Sequence, residues 1–531
     1  MNDATNPAPN RVRPRWLALA AILALSGAAL AYVRLSEPIV VRGMSNGLTL
    51  ALALATGGAL VLWFAFLSGL PRRARFAGLG LAAAGAAGLA LCLRVEGYHG
   101  DILPVLTWRW APPRDYTLPE LAPKVAEAPP AGAEAPGPLV EAAPGDWSRF
   151  LGPRGDGWAE AGALPAEWWT RAPKERWRRA CGAGWAGCAV AGDRVYTQEQ
   201  RGPYELVVCV GLDDGKEKWV HRDEARFSEE MGGDGPRATP TVSEGIVYAL
   251  GATGILNALD ARSGELRWSR NVLAESGQPN LMWGKSASPV VYDGRVVVTL
   301  GGAPEGTTAA FRCADGEPAW RAGADQSSYS TPALGQLAGA RQLVVVYADS
   351  IAGHDPAGGK TLWTYAWKGA PAKVASPKLL DGDRVLLTVG YGLGARMLKV
   401  SRAGDGGDAA SFGVEVLWQN LNLKTKFTNP VLKDGCAYGL DEGRLACVRL
   451  EDGERLWKGD SFGHGQLIGA GDVLIVQAER GEVVFAAASP EAFKVWQRIP
   501  ALKDKTWNYP ALSGRNLIVR NDREMVCLEL Q

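Results

Sequence analysis

The sequence predicts an all-β fold, an eight-bladed β-propeller, preceded by an N-terminal α-helical transmembrane region. Three observations predict it. An eleven-residue pattern ending in tryptophan recurs at intervals of 39 to 55 residues. A proline-marked strand opening precedes most copies. Three apolar stretches interrupted by arginines stand ahead of the first copy.

The fullest copy is "ALDARSGELRW", residues 258–268. Related copies end at Trp219, Trp320, Trp363, Trp418, Trp457 and Trp496. Ten residues before the tryptophan the side chain is small: Cys209, Ala258, Ala310, Gly353 and Cys447. Four before it stands Gly215, Gly264, Gly316, Gly359 or Gly453. The copy ending at Trp496 has Ala492 there, and the copy ending at Trp418 carries the insertion "SRAGDGGDAAS". A period of about 40–50 residues suits a four-stranded propeller blade. Asp-Gly or Ser-Gly between apolar runs marks a hairpin, because glycine supplies the positive φ of a tight turn. Runs such as "GIVYAL" and "DVLIVQA" read as strands. Pro240, Pro289, Pro332, Pro377, Pro430 and Pro510 open the units, where no ladder hydrogen bond is lost.

Seven tryptophan-ended units leave "NYPALS", "NLIVRN" and "EMVCLEL" at the C-terminal end without a fourth strand. "ERWRRA", around Trp177, precedes the first full unit. It is expected to complete the last blade and make eight, which removes exposed sheet edges.

The pattern met in full by Ala258, Asp260, Ser263, Gly264 and Trp268 resembles the tryptophan-docking repeat of quinoprotein (PQQ-like) β-propellers. The resemblance covers roughly 146–531. It implies that each tryptophan stacks on the small residue that opens a neighbouring blade's motif. "DWSRFLGPRGDGW" (146–158) is similar to the opening of many bacterial propellers of this kind. The whole layout resembles a membrane-anchored group common in planctomycete-type bacteria. The repeat also resembles that of the propeller lipoprotein of the outer-membrane barrel-assembly machinery.

The apolar stretches fall at about 16–33, 47–70 and 76–93, each close to the length a hydrocarbon core of about 30 Å needs. Arg11, Arg13 and Arg15 precede the first, and Arg72, Arg73 and Arg75 separate the second from the third. Positive-inside logic places residues 1–15 in the bacterial cytoplasm, the helices in the inner membrane and the propeller in the periplasm or outside. In an alternative reading the first stretch is a signal peptide, with Ala29 and Ala31 near its end. Residues 94–145 are expected to be a Pro/Ala-rich linker whose composition buries no core, and residues 146–531 the propeller.

Net charge is +1, from 57 basic and 56 acidic residues, which points to no nucleic-acid partner. Eight cysteines include no Cys-x-x-Cys, so no metal site is expected. Cys181 and Cys188 are the best-placed pair for a local bridge. Cys209 and Cys447 occupy the small position and read as packing residues.

Loops entering the innermost strands contribute Arg237, Trp283, Lys285, Ser328, Tyr329, Lys373, Lys426, Phe427, His464, Gln466, Trp507 and Asn508. Were these to converge, the channel mouth would be cationic and aromatic, suited to a flat anion or a protein surface. Two functions follow from the resemblance. One is a non-catalytic binding or scaffold propeller with a protein partner and no cofactor. The other is a dehydrogenase of alcohols or sugars using pyrroloquinoline quinone (PQQ) and Ca²⁺. That family covers its quinone with an adjacent Cys-Cys pair, which this sequence lacks, and Ca²⁺ needs several oxygen ligands that these loops hardly offer. The binding or scaffold role is therefore expected.

Overall fold

A computed structural model describes residues 16–35, 42–100, 103–112, 118, 140, 142–301, 306–403 and 411–531. The chain divides into two compact units, Met1–Ala111 and Pro112–Gln531.

The first unit holds α1 (Trp16–Leu35), α2 (Arg42–Leu67) and α3 (Arg72–Cys92). All three are long and apolar enough to cross a membrane, with mean hydropathies of 2.0, 2.2 and 1.5. Arg72, Arg73 and Arg75 form the first turn of α3 rather than a loop, because Pro71 presets the helical entry with φ −54°. Arg75 reaches back to the Ala65 carbonyl of α2 at 2.6 Å. Gly78 lies against Phe64, where an added Cβ would come within 2.7 Å, so a small residue permits this helix contact. Thr56 of α2 hydrogen-bonds Ser26 of α1 at 2.8 Å.

The start of the expected linker is structured. Leu93–Tyr98 and Pro104–Trp108 pair as an antiparallel hairpin, and "LRVE" in the first of them alternates apolar and polar residues as a strand does. The arginines at 11, 13 and 15 and most of the Pro/Ala-rich stretch lie outside the described residues.

The second unit is the propeller. Its blades 1 to 7 span 189–223, 241–271, 290–322, 333–366, 378–420, 431–461 and 466–500. Each is an antiparallel meander of four strands, and blade 7 gains a short fifth strand, Trp158–Ala159, alongside Gln466–Ala470. Blade 8 takes three strands from 511–529 and its outermost from Lys174–Ala180, with Cys527 opposite Trp177. The ring is eight-bladed and closed by its own N-terminal strand, as the sequence predicts.

The seat of the tryptophans differs from the expected one. The small residue ten before each tryptophan lies opposite that same tryptophan in its own sheet, as in Ala258↔Trp268 and Ala310↔Trp320. The seat in the next blade is the turn glycine. A Cβ at Gly215, Gly264, Gly316, Gly359 or Gly453 would fall 2.6 to 2.7 Å from Trp177, Trp219, Trp268, Trp320 or Trp418 of the preceding blade. These glycines have φ between +62° and +76°, so a side chain would be both strained and obstructed. Each indole N–H donates to a carbonyl of the same turn, at 2.7 Å for Trp177 to Leu212 and 3.1 Å for Trp219 to Ala261.

Two blades lack that turn and solve the seat differently. Trp496 packs against Trp169, with ring centroids 5.4 Å apart, because the two outer strands of blade 8 come from opposite ends of the sequence and share no turn. Trp363 faces the insertion of blade 5 and lies back on its own blade. Its N–H donates to Gln342 at 2.6 Å, and a Cβ at Gly353 would meet its Nε1 at 2.2 Å.

His354, fully buried in blade 4, contacts Tyr347 Oη at 2.9 Å and Thr361 Oγ1 at 3.2 Å. Burial pushes its imidazole down to about 4. The neutral form is therefore favoured in the fold, and the unfolded chain binds a proton first as pH falls. Stability is expected to decline from about pH 6.5 to about pH 4 and to level off below. His354→Gln should flatten that limb by about 3 kcal/mol, read from denaturant titrations at several pH values.

Candidate binding face at the channel mouth

In an up-and-down meander, the loops entering first strands and the turns between second and third strands lie at one end of the ring. There, side chains from successive blades form a chain of contacts. Trp185 donates to the Gly232 carbonyl at 2.5 Å and stacks tilted on Trp507 at 5.0 Å. Trp507 meets Phe427 at 5.1 Å, and Phe427 meets His464 at 5.2 Å. Lys426 Nζ stands 5.3 Å from the Phe427 ring and 5.5 Å from the Tyr391 ring. Tyr391 joins an apolar cluster with Tyr329, Trp283, Leu281, Ala372 and Val374. Trp283 and Tyr329 lie 5.4 Å apart. Arg237 sits 4.5 Å over Phe227 and donates to the Gly233 carbonyl at 2.7 Å. Burial pushes its guanidinium down to about 10, against the opposing charges of Glu229, Glu205 and Asp234. It stays charged at neutral pH.

Of the sequence candidates, Arg237, Trp283, Tyr329, Lys426, His464 and Trp507 thus share this face. Four others turn their donor groups to the protein itself. Lys285 is fully buried, with its ammonium on Thr299 Oγ1 and the Leu300 carbonyl. Lys373 is buried and its ammonium caps the Ala348 carbonyl. Gln466 donates to the Trp507 and Phe427 carbonyls at 2.8 and 3.3 Å, and Asn508 to those of Ala186 and Gly184 at 2.8 and 3.0 Å. These side chains tie loops and neighbouring strands together. Ser328 likewise donates to the Lys373 carbonyl at 2.7 Å. Backbone carbonyls exposed where strands end need donors, and a sequence pattern does not tell such a donor from a ligand-binding one.

Burial pushes the Lys285 ammonium down to about 7. Its folded value lies below the unfolded one, so wild-type stability falls relative to Lys285→Met as pH drops from about 10.5 to about 7. Paired melting curves across that window check the sign.

Several residues of the face were not legible in the pre-strand loops. Trp185 and Lys505 complete the aromatic chain, with Lys505 Nζ 4.3 Å from the Trp507 ring. Glu479, 7% exposed, accepts from the His464 backbone at 3.1 Å and from Trp507 Nε1 at 2.8 Å. Burial raises Glu442 above the usual carboxylate range, while His464, Lys424 and Lys426 oppose the shift. Both carboxylates come from mid-blade turns, "DEGR" and "ERGE", which share this end of the ring. The eight cysteines are all free. Cys181 donates to the Asn521 carbonyl at 3.4 Å, and Cys188 lies 3.6 Å from Met525 Sδ.

The face offers no carboxylate cluster for Ca²⁺: among the described residues no group of three or more His, Cys, Asp or Glu side chains is placed to hold a metal ion, whereas Ca²⁺ takes six to eight oxygens. Glu479 is already committed to two donors of the protein itself.

Comparison with known proteins bears on the same question. The family model described as outer membrane protein assembly factor BamB matches residues 166–303 and 254–498. A 1-butanol dehydrogenase (cytochrome c) of Thauera butanivorans is 30% identical over 123 residues, which is 23% of this chain and 17% of that protein. The quinohemoprotein alcohol dehydrogenase of Comamonas testosteroni is similar in structure, with a TM-score of 0.56 at 14% identity over 73% of this chain and 81% of that one. The structure of BamB from Moraxella catarrhalis gives a TM-score of 0.47 at 14% identity, over 67% of this chain and 99% of that one. The likeness to the Comamonas enzyme shows the fold. The family match runs from the strand around Trp177 through nearly all of blades 1 to 7, and the chain belongs to the PQQ-like propeller family of the outer membrane protein assembly factor BamB.

Proposed function

We propose that the protein is a membrane-tethered, non-catalytic scaffold that binds a protein partner through the aromatic and cationic face at the channel mouth, on the extracytoplasmic side. The observation that carries this reading is the chain of contacts running from Trp185 through Trp507, Phe427 and Lys426 to Tyr391 and on to Tyr329 and Trp283. Half-buried tryptophan, tyrosine and arginine side chains are the groups that anchor protein interfaces. Much of the polar chemistry nearest them is engaged with the protein's own groups: Glu479 accepts from the His464 backbone and the Trp507 indole, and the Gln466 and Asn508 amides donate to backbone carbonyls. Three apolar helices supply the tether, and the arginines around them set the side.

Titration of PQQ into the full-length protein in detergent, with and without Ca²⁺, tests the reading against the dehydrogenase. No saturable heat that depends on Arg237 or Trp283 is expected. One-to-one binding that is lost in Arg237→Ala or Trp283→Ala, together with alcohol-dependent dye reduction, would replace the scaffold by an enzyme.

A further inference from the structure

The opposite end of the channel holds a second site. Residues 146–159 form a strap across it. Trp147 and Ser148 accept backbone bonds from Val190 of blade 1 and Val242 of blade 2, each at 2.8 Å. Ten residues later Gly157 accepts from Gly469 of blade 7 at 2.9 Å, and Trp158 Nε1 donates to Leu432 of blade 6 at 2.6 Å. On the side of blades 3 to 6 the strap leaves a cavity of about 810 Å³.

Its walls are half apolar, from Leu334, Leu379, Leu432 and Trp158. The most enclosed charged side chain lining it is the cation Lys378, and the half-buried Arg149 joins it. Lys378, 4% exposed, donates once, to the strap carbonyl of Asp156 at 3.0 Å. Arg149 uses its Nε on the Pro153 and Gly152 carbonyls at 3.0 and 3.3 Å, and its two Nη groups make no hydrogen bond. Among the described residues neither cation makes a direct ion pair, although the Asp156 charge acts on both. Four carboxylates also line the cavity, at Asp156, Asp381, Asp383 and Asp434. Asp156 is engaged by Arg154 at 2.8 Å, Asp383 by the Ala338 backbone at 2.6 Å, and Asp434 by Lys433 at 3.7 Å. Asp381 is exposed at the rim. The interior therefore presents unsatisfied N–H groups and positive charge against an apolar wall.

We infer that this cavity is a binding site for a small anionic molecule carrying carboxylate or phosphate groups, with Arg149 and Lys378 as its recognition residues. A buried ammonium with a single carbonyl partner, as Lys378 has, is costly, and a bound anion reduces that cost while completing the fork of Arg149. Burial lowers both groups, Lys378 to about 8, with the Asp156 charge opposing the shift in each. A volume of this size suits a small molecule. The site is independent of the aromatic face, so either assignment can fail alone.

The test is calorimetry on the full-length protein in detergent, with pyrophosphate and citrate as probes and a poly-glutamate peptide as the macromolecular comparison. Saturable one-site binding of one small anion is expected, and which one binds identifies the group recognised. Lys378→Met and Arg149→Gln should each weaken it about tenfold or more, the effect of losing a charged hydrogen bond. Hydrogen exchange on the unaltered protein guards against misfolded variants: the bound anion should protect residues 149–158 and 378–384. Absence of saturable binding by both small anions, affinities unchanged in both variants, protection confined to other segments, or tighter binding of poly-glutamate than of either small anion would each overturn the assignment.

Discussion

Gly353→Ala is expected to destabilise the propeller by about 3 kcal/mol, far more than adding one methyl to a strand usually costs. The added Cβ would stand 2.2 Å from Trp363 Nε1 and 2.7 Å from Gln342 Oε1, inside the bond that the two groups make at 2.6 Å. Trp363 is 4% exposed and has no turn in blade 5 to receive it, so it cannot swing away without leaving a cavity and an unpaired amide. The effect should be specific to the pair. In Trp363→Phe the shorter ring vacates that space, and Gly353→Ala added to it should cost less than about 1 kcal/mol. The equivalent residue in blade 2 is Ala258, beside a tryptophan that docks forward. Denaturant titrations of the four proteins complete the cycle. Equal costs of Gly353→Ala in both backgrounds would show that the indole does not set the glycine.

Arg520→Met is expected to cost about 3–5 kcal/mol and to loosen the closure of the ring. Arg520 is fully buried in blade 8 and donates to Thr197 Oγ1 at 2.6 Å, the Gln198 carbonyl at 2.9 Å and the Gly182 carbonyl at 3.2 Å. Two of these acceptors belong to blade 1, so the side chain joins the last blade to the first. Methionine fills similar volume but leaves the carbonyls without a donor. Hydrogen exchange should then accelerate first in 174–180 and 524–529, the strands paired at the closure. Exchange that rises evenly over all blades would argue that Arg520 contributes only to general stability.

The scaffold reading and the anion cavity concern different ends of one channel. At the aromatic end the protein's own rings occupy one another, which favours contact with a surface. At the strap end a cavity remains and its donors are left over, which favours a small molecule.

How much was legible beforehand can be seen from particular residues. Lys426 and Trp507 follow from their place just before a proline-marked strand. Trp185 also precedes a first strand, but "WAGCAV" carries no proline to mark it. Glu442 and Glu479 sit in mid-blade turns, and only the meander brings those turns to the same end as the pre-strand loops. Lys285 and Lys373 had the right position and the right charge, yet each turned to a strand-end carbonyl. In the strap, "RFLGPRGDG" reads as a loop, and nothing local says that it crosses a channel.

What the sequence by itself determined was the repeat: the turn glycines, the period, the eighth blade completed by Trp177, and three apolar helices. These are local properties, because a hairpin turn, a strand and a membrane span each depend on residues close together in the chain. Only the tertiary structure decided where each indole rests, which polar side chain faces the mouth and which a carbonyl, and where a cavity is left. Those depend on the neighbouring blade, some 50 residues away in the chain or, at the closure, nearly 350 (Trp177 against Cys527), and a side chain's partner at that distance is set by how the blades stack.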